Sequence, residues 1–192
     1  ANAVESCKAN GGHGALLFID LDNFKTLNDT MGHDTGDIFL TQVAERLSGC
    51  VGDHGMVARI GGDEFVIVLE FPEGGQPVAT RQAIVTANKV LAAMRKEFQL
   101  GILDHRSSAS VGVVVFDGAC QGPEEVLKNA DLAMYNAKFS GRNNVAFYDP
   151  VSMSGETERY RLLSDLKKVL SDTKDQLELH FQPQVDDRGR VI

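Results

Sequence analysis

Met56-Val57-Ala58-Arg59-Ile60, then Gly61-Gly62-Asp63-Glu64, then Phe65-Val66-Ile67-Val68-Leu69 is the stretch on which the fold turns. Two apolar runs flank a glycine pair. This predicts a β-hairpin, because glycine reaches the positive φ that tight hairpin turns require. A hairpin makes at least part of the sheet antiparallel. Gly61 and Gly62 also lack the side chains that would keep a ligand away from the backbone. Asp63 and Glu64 then sit at the tip, either as solvated turn residues or as metal ligands, and the hairpin alone leaves both readings open.

On the N-terminal side, Ala15-Leu16-Leu17-Phe18-Ile19 is a continuous apolar run that ends at Asp20, as expected for a central strand buried on both faces. A short helix follows from Asn23 to about Thr30. A second helix runs from Thr35 to about Leu47, with Ile38, Phe39, Val43, Ala44 and Leu47 at helical spacing. On the C-terminal side, Pro72 to Pro77 reads as a loop and Val78 to about Phe98 as a long helix. Ser107 to Phe116 reads as a strand. Pro123 to about Phe139 is a helix punctuated by Pro123 and Gly141, and Asn144 to Tyr148 is a last short strand. The order β-α-α-β-β-α-β-α-β predicts an α+β fold, a mixed central β-sheet flanked by helices.

Beyond Pro150 the character changes. Ser154 to about Thr173 is a charged helical stretch with Leu162, Leu163, Leu166, Val169 and Leu170 on one face. Leu177 to Val185 then alternates like a strand, and Asp186-Asp187-Arg188-Gly189 makes a turn. The expected organisation is a domain over residues 1–150, an interdomain helix over 151–175, and the first strand and turn of a second domain over 176–192.

The chain has 192 residues, 43% hydrophobic and 24% charged, with a formal net charge of −8. Such an acidic balance argues against a general nucleic-acid surface. It leaves room for a nucleotide whose phosphates are neutralised by a bound cation. The three cysteines, Cys7, Cys50 and Cys120, are widely separated and form no Cys-x-x-Cys pair, which suggests reduced thiols and no zinc site. No apolar run approaches ~20 residues, so no membrane contact is expected of this chain. The expected location is cytoplasmic, although a longer parent is free to carry an anchor.

Asp20-Leu21-Asp22 places carboxylates at the rim of a central strand, where the sheet holds them rigidly. A calcium-loop reading starting at Asp20 fails, because Phe24, Lys25 and Met31 stand where a ligand, a glycine and a glutamate are needed. Asp20 with Asp63 and Glu64 suits Mg2+, which keeps waters and shares its shell with phosphates. Asn28, His33, Asp34 and Asp37, taken singly, read as cap or turn residues. Asp37 has a further possible use, since a carboxylate accepts both N–H groups of a guanine edge. Lys138 and Arg142, four apart, are expected on one helix face as a phosphate clamp or as cations favoured at a helix C-terminus, and Lys25 is a further cation near the end of the first strand. No nucleophile arrangement and no P-loop sequence stands out.

Taken jointly and in order, Phe18-Ile19-Asp20-Leu21-Asp22-Asn23-Phe24-Lys25, Asn28-Asp29, Gly32-His33, Gly36-Asp37, Arg59-Ile60-Gly61-Gly62-Asp63-Glu64-Phe65, Ala130-Asp131, Tyr135-Asn136-Ala137-Lys138 and Gly141-Arg142-Asn143 resemble the GGDEF family of diguanylate cyclases over residues 13–149. The resemblance implies a fold similar to nucleotidyl cyclase catalytic domains. It also implies condensation of two GTP to cyclic di-GMP with release of two pyrophosphates, in a homodimer whose chains each bind one GTP. It assigns Asp20, the Leu21 carbonyl and Asp63, with Glu64 assisting, to Mg2+ (Mn2+ is an alternative), and Asp63 to deprotonation of the attacking 3′-hydroxyl. Asn28 and Asp37 are implied to read guanine, Lys138 and Arg142 to hold phosphates, and Lys25, His33, Gly61 and Gly62 to line the substrate site.

The chain also departs from the family pattern. Where many members carry an inhibitory Arg-x-x-Asp motif this chain has Gly52 and Gly55, so product inhibition through that site is expected to be absent. The family's opening Asp-x-Leu-Thr-Gly-Leu segment is missing. Leu179 to Val185 resembles the first strand of an EAL phosphodiesterase domain without the Glu-Ala-Leu motif. The parent is therefore expected to carry that domain and this chain to lack phosphodiesterase activity. The tandem arrangement keeps open a second role, that of a GTP-binding regulatory module with weak turnover that controls the attached phosphodiesterase.

Overall fold

In the computed structural model, which describes residues 2–52, 55–73, 75–101, 103–120 and 122–150, the apolar run becomes β1, His13–Leu21. Its odd residues Ala15, Leu17, Ile19 and Leu21 enter one core and Leu16 and Phe18 enter another, so both faces are buried. That accounts for the absence of polar alternation in the run. The expectations for residues 151–175 and 176–192 lie outside the described residues. The described residues belong to a compact unit, Ala1–Val151.

The hairpin forms as expected. β2, Gly55–Gly61, pairs antiparallel with β3, Glu64–Phe71. β3 and β6, Ala109–Asp117, flank β1, both antiparallel, and β7, Val145–Phe147, adds in parallel beside β6. The sheet order is β2-β3-β1-β6-β7, a mixed sheet in an α+β fold. A register shift between Arg59 and Gly61 bends the hairpin just before its tip.

Helices cover both faces. On one lie α2, Phe24–Met31, α3, His33–Val51, and α4, Gly75–Met94, through Phe24, Leu27, Phe39, Val43, Val90 and Met94. On the other lie α1, Asn2–Asn10, and α5, Pro123–Phe139, through Val4, Cys7, Val126, Ala130 and Met134. Cys7, Cys50 and Cys120 are free thiols. No described helix is long and apolar enough to cross a membrane.

Three local expectations are corrected. The stretch read as a loop up to Pro77 already turns helical at Gly75, because a proline in the first turn gives up only an N–H that has no helical partner. The same helix stops at Met94, short of Phe98. Phe98 instead opens a small ribbon, β4, Phe98–Leu100, with β5, Leu103–His105. Tertiary packing draws it out of the helix: Phe98 is fully buried edge-on to Phe39, with ring centroids 4.6 Å apart, and the Arg46 guanidinium lies 3.5 Å over its ring. Arg46 also donates to the carbonyls of Ala93, Lys96 and Glu97, satisfying the frayed end of α4. Finally, Arg142 is not on α5. The helix closes in a Schellman turn, with Arg142 N–H donating to the Ala137 carbonyl (3.2 Å) and Gly141 N–H to the Lys138 carbonyl (3.4 Å). Gly141, at φ 110, permits the reversal, so the four-residue spacing of Lys138 and Arg142 does not make a helical face.

Candidate functional site

At the end of β1, the carboxylates are assembled by strand register. Asp20 stands opposite Glu64 of β3, and the Leu21 N–H donates to the Asp63 carbonyl (3.2 Å), which ties the hairpin tip to the central strand. Arg59 Nε donates to the Gly62 carbonyl (2.9 Å) and braces the turn from inside the hairpin. Asp63 and Glu64 are half-buried, and Asp20 is only 5% exposed. The tip is therefore not a freely solvated turn.

Among the described residues, Lys138 answers this charge directly. Lys138 Nζ lies 2.6 Å from Asp20 Oδ2. Burial nonetheless pushes the Asp20 carboxyl up from its ordinary 3.8 to about 6, with Asp63 and Glu64 adding to the rise and Lys138 opposing it. Burial also raises Glu64, helped by the charges of Asp131 and Asp63 and again opposed by Lys138. Carboxylates that hold protons this tightly are crowded and short of positive charge. Their hard oxygens match Mg2+ or Mn2+. Among the described residues no group of three or more His, Cys, Asp or Glu side chains is arranged to hold a metal ion. A divalent ion at Asp20 would thus complete its shell with a backbone carbonyl, waters and phosphate oxygens, which is the habit of Mg2+.

A second subsite lies between α2 and α3. Asn28 Oδ1 is buried and accepts no hydrogen bond, a costly condition unless a ligand donates to it. Gly36 faces it: a β-carbon at that position would come within 1.9 Å of Asn28 Oδ1. Asp37 follows on the exposed side of α3. Lys25, His33 and Arg142 are also exposed, and Lys138, not Arg142, is the cation on Asp20. Gly61 and Gly62 are exposed at the tip, where an added β-carbon would meet nothing within 4 Å. Of the residues expected from the sequence, then, Asp20, Leu21, Asp63, Glu64 and Lys138 come together. Asn28, with Gly36 and Asp37, forms a separate corner.

Two residues that the sequence reading named without a site role prove to act on the site. Asp131, whose charge acts on Glu64, precedes Lys138 by seven residues on α5, and that two-turn spacing was the available signal. Asp22 is 6% exposed and accepts from Ser108 Oγ (2.6 Å), Ser110 Oγ (2.8 Å) and the Asn143 N–H (3.1 Å). No local pattern announces those partners.

The absence of an inhibitory motif also has a steric side. A β-carbon on Gly55 would lie 2.4 Å from the Val68 carbonyl oxygen, so the backbone here leaves no room for an aspartate at that position.

A family model described as diguanylate cyclase, GGDEF domain, matches residues 1–144. MucR of Pseudomonas aeruginosa, described as a bifunctional diguanylate cyclase/cyclic di-GMP phosphodiesterase, is 39% identical over 171 residues, covering 89% of this chain and 24% of its own length. NbdA of the same organism, described as a cyclic di-GMP phosphodiesterase, is 35% identical over 180 residues, covering 94% of this chain and 22% of its own. The solved structure of an EAL/GGDEF domain protein from M. capsulatus superposes with a TM-score of 0.68 at 38% identity, covering 78% of this chain and 93% of that one. The chain spans about a quarter or less of the length of these two curated relatives.

Proposed function

The chain belongs to the GGDEF family of diguanylate cyclase domains, and from that premise we propose that it condenses two GTP into cyclic di-GMP, two chains each presenting one GTP to the other. The observation that carries this reading is the meeting of Lys138 with Asp20 beside Asp63 and Glu64: carboxylates short of positive charge share one point with a cation suited to phosphate. The orphan acceptor of Asn28, with Asp37 on the next helix, gives guanine two places to donate.

In this mechanism Asn28 Oδ1 and the Asp37 carboxylate accept from the guanine edge. Adenine presents a different pattern and would leave a buried acceptor unpaired, a penalty of about 1–3 kcal/mol. Lys138 and Arg142 hold the triphosphate, with Lys25 and His33 along its approach. Asp20, the Leu21 carbonyl and Asp63, with Glu64 assisting, would hold Mg2+ or Mn2+. When bound, the ion neutralises the triphosphate and the charge that develops on departing pyrophosphate. Asp63 takes the proton of the 3′-hydroxyl as its oxygen attacks the α-phosphorus of the GTP on the facing chain. The new P–O bond forms while the α–β bridge breaks, and pyrophosphate leaves with the bonding pair. Repetition in the opposite sense closes the ring. Most of the rate comes from positioning and charge, since phosphoryl-type transfer asks little covalent chemistry of the protein.

Incubation of the chain at high concentration with GTP and Mg2+ tests this reading. Cyclic di-GMP should appear with the wild type and be absent with Asp63→Ala. No product from wild-type protein that binds GTP would reject it.

A second reading is motivated by relatives such as NbdA: a GTP-binding module that controls an attached EAL phosphodiesterase. It requires GTP to change the phosphodiesterase rate of the parent protein through a coupling of about 1–3 kcal/mol. An unchanged rate at saturating GTP removes it.

A further inference from the structure

Two consecutive non-glycine residues, Arg142 and Asn143, take left-handed φ values of 61 and 51. Such a conformation is costly and persists only where surrounding contacts enforce it. Here the enforcement comes from every side. Asn143 N–H donates to Asp22 Oδ2 (3.1 Å), linking the turn to the end of β1. Arg95, at the end of α4, donates from Nε to Asn143 Oδ1 (2.9 Å) and from Nη2 to the Asn143 carbonyl (3.2 Å). Asn144 Nδ2 donates to the carbonyls of Ala137 (3.0 Å) and Arg142 (3.1 Å), while Val111 N–H donates to the Asn144 carbonyl (3.0 Å).

The backbone of Arg142 is thus fixed from before and after, while its side chain is exposed. Asp22 is the centre of the restraint. Its buried carboxylate, just past β1, joins that strand to Ser110 of β6, to Ser108 just before it and to the turn after α5. The four elements that converge here share little sequence proximity, so the network serves the turn and not any one helix or strand.

Taking Arg142 as a phosphate cation in the function proposed for this chain, we infer that Asp22 and Arg95 are positioning residues that hold the 142–143 turn in its strained form and so aim the Arg142 guanidinium at the GTP phosphates. Neither touches substrate. Their effect on nucleotide affinity passes through Arg142 and vanishes when that side chain is gone. Arg95 is exposed, so its removal leaves the core intact.

A double-mutant cycle tests this on the full chain, with guanosine 5′-[α,β-methylene]triphosphate and Mg2+ as the probe in calorimetry. Arg95→Met removes both of its hydrogen bonds to Asn143 and should weaken binding by about three- to tenfold. Asp22→Asn should weaken it by about tenfold or more. Each substitution should have no further effect in an Arg142→Ala background. Equal losses in both backgrounds would mean that the network acts on the fold in general and would overturn the inference. An unchanged affinity for Arg95→Met in the wild-type background would overturn it as well. Should Asp22→Asn fail to fold, the Arg95→Met cycle decides alone. If Arg142→Ala itself leaves binding unchanged, the phosphate role of Arg142 fails first and the inference falls with it. Cyclic di-GMP synthesis by the wild type is a separate readout, so the two failures are distinguishable.

Discussion

Asp20→Asn should stabilise the metal-free chain at neutral pH while abolishing its activity. Raising the Asp20 carboxyl from 3.8 to about 6 means that the folded state disfavours the ionised form by about 3 kcal/mol, at about 1.4 kcal/mol per pH unit. Because the folded chain holds this proton more tightly than the unfolded chain, it binds more protons between about pH 4 and pH 6, and stability falls as the pH rises through that window. Asparagine keeps the shape and removes the charge. The attraction of Lys138 is already counted in that figure, and its side chain, 31% exposed, can turn to water once the charge is gone. The expected gain at pH 7.5 is then about 2–3 kcal/mol, or about 4–12 °C in Tm for a unit of this size. At pH 4 wild-type Asp20 is already protonated when folded, and the advantage should shrink toward zero. Thermal denaturation of both proteins in chelator at pH 4 and pH 7.5 measures the difference. A mutant less stable than wild type at pH 7.5, or a difference that ignores pH, would refute the assignment of Asp20 as a carboxylate strained by burial.

Other perturbations probe the remaining parts of the site. Gly36→Ala puts a β-carbon against Asn28 Oδ1 and should weaken GTP binding by about 1–3 kcal/mol, read by calorimetry, with selectivity over ATP reduced in step. Lys138→Met removes the ion-pair partner of Asp20 and should lower chemical stability at pH 7.5 by about 1–3 kcal/mol, a loss that Asp20→Asn restores in the double mutant. Added cyclic di-GMP should leave initial rates unchanged at concentrations well above those of the enzyme, because Gly52 and Gly55 replace the inhibitory pair and Gly55 has no room for a side chain.

What could be read from the sequence followed local physics. The apolar run of β1, the glycine hairpin and the bounds of α5 from Pro123 to Phe139 all rest on signals within a few residues. The place of the carboxylates also follows local signals: Asp20 is the penultimate residue of β1, register sets it opposite Glu64 at the start of β3, and Asp63 stands in the turn just before. What was illegible depended on distant partners. Phe98 reads as the last turn of a helix until Phe39 and Arg46 claim its ring. α1 buries Val4 and Cys7 in an otherwise polar segment, too little pattern to announce a helix. Lys138 and Arg142 look like one helical face until Gly141 turns the chain between them. Asp22 finds its acceptor role only through Ser108, Ser110 and Asn143, residues far along the chain.

The central claim is that each chain carries half of a GTP-condensing site. The most direct measurement is the initial rate of cyclic di-GMP formation at saturating GTP and Mg2+ as a function of chain concentration. The account predicts product whose rate per chain rises with concentration as dimers form and then levels, and which vanishes on chelation of Mg2+. Chains that bind GTP with Mg2+ yet form no cyclic di-GMP at any concentration would contradict it.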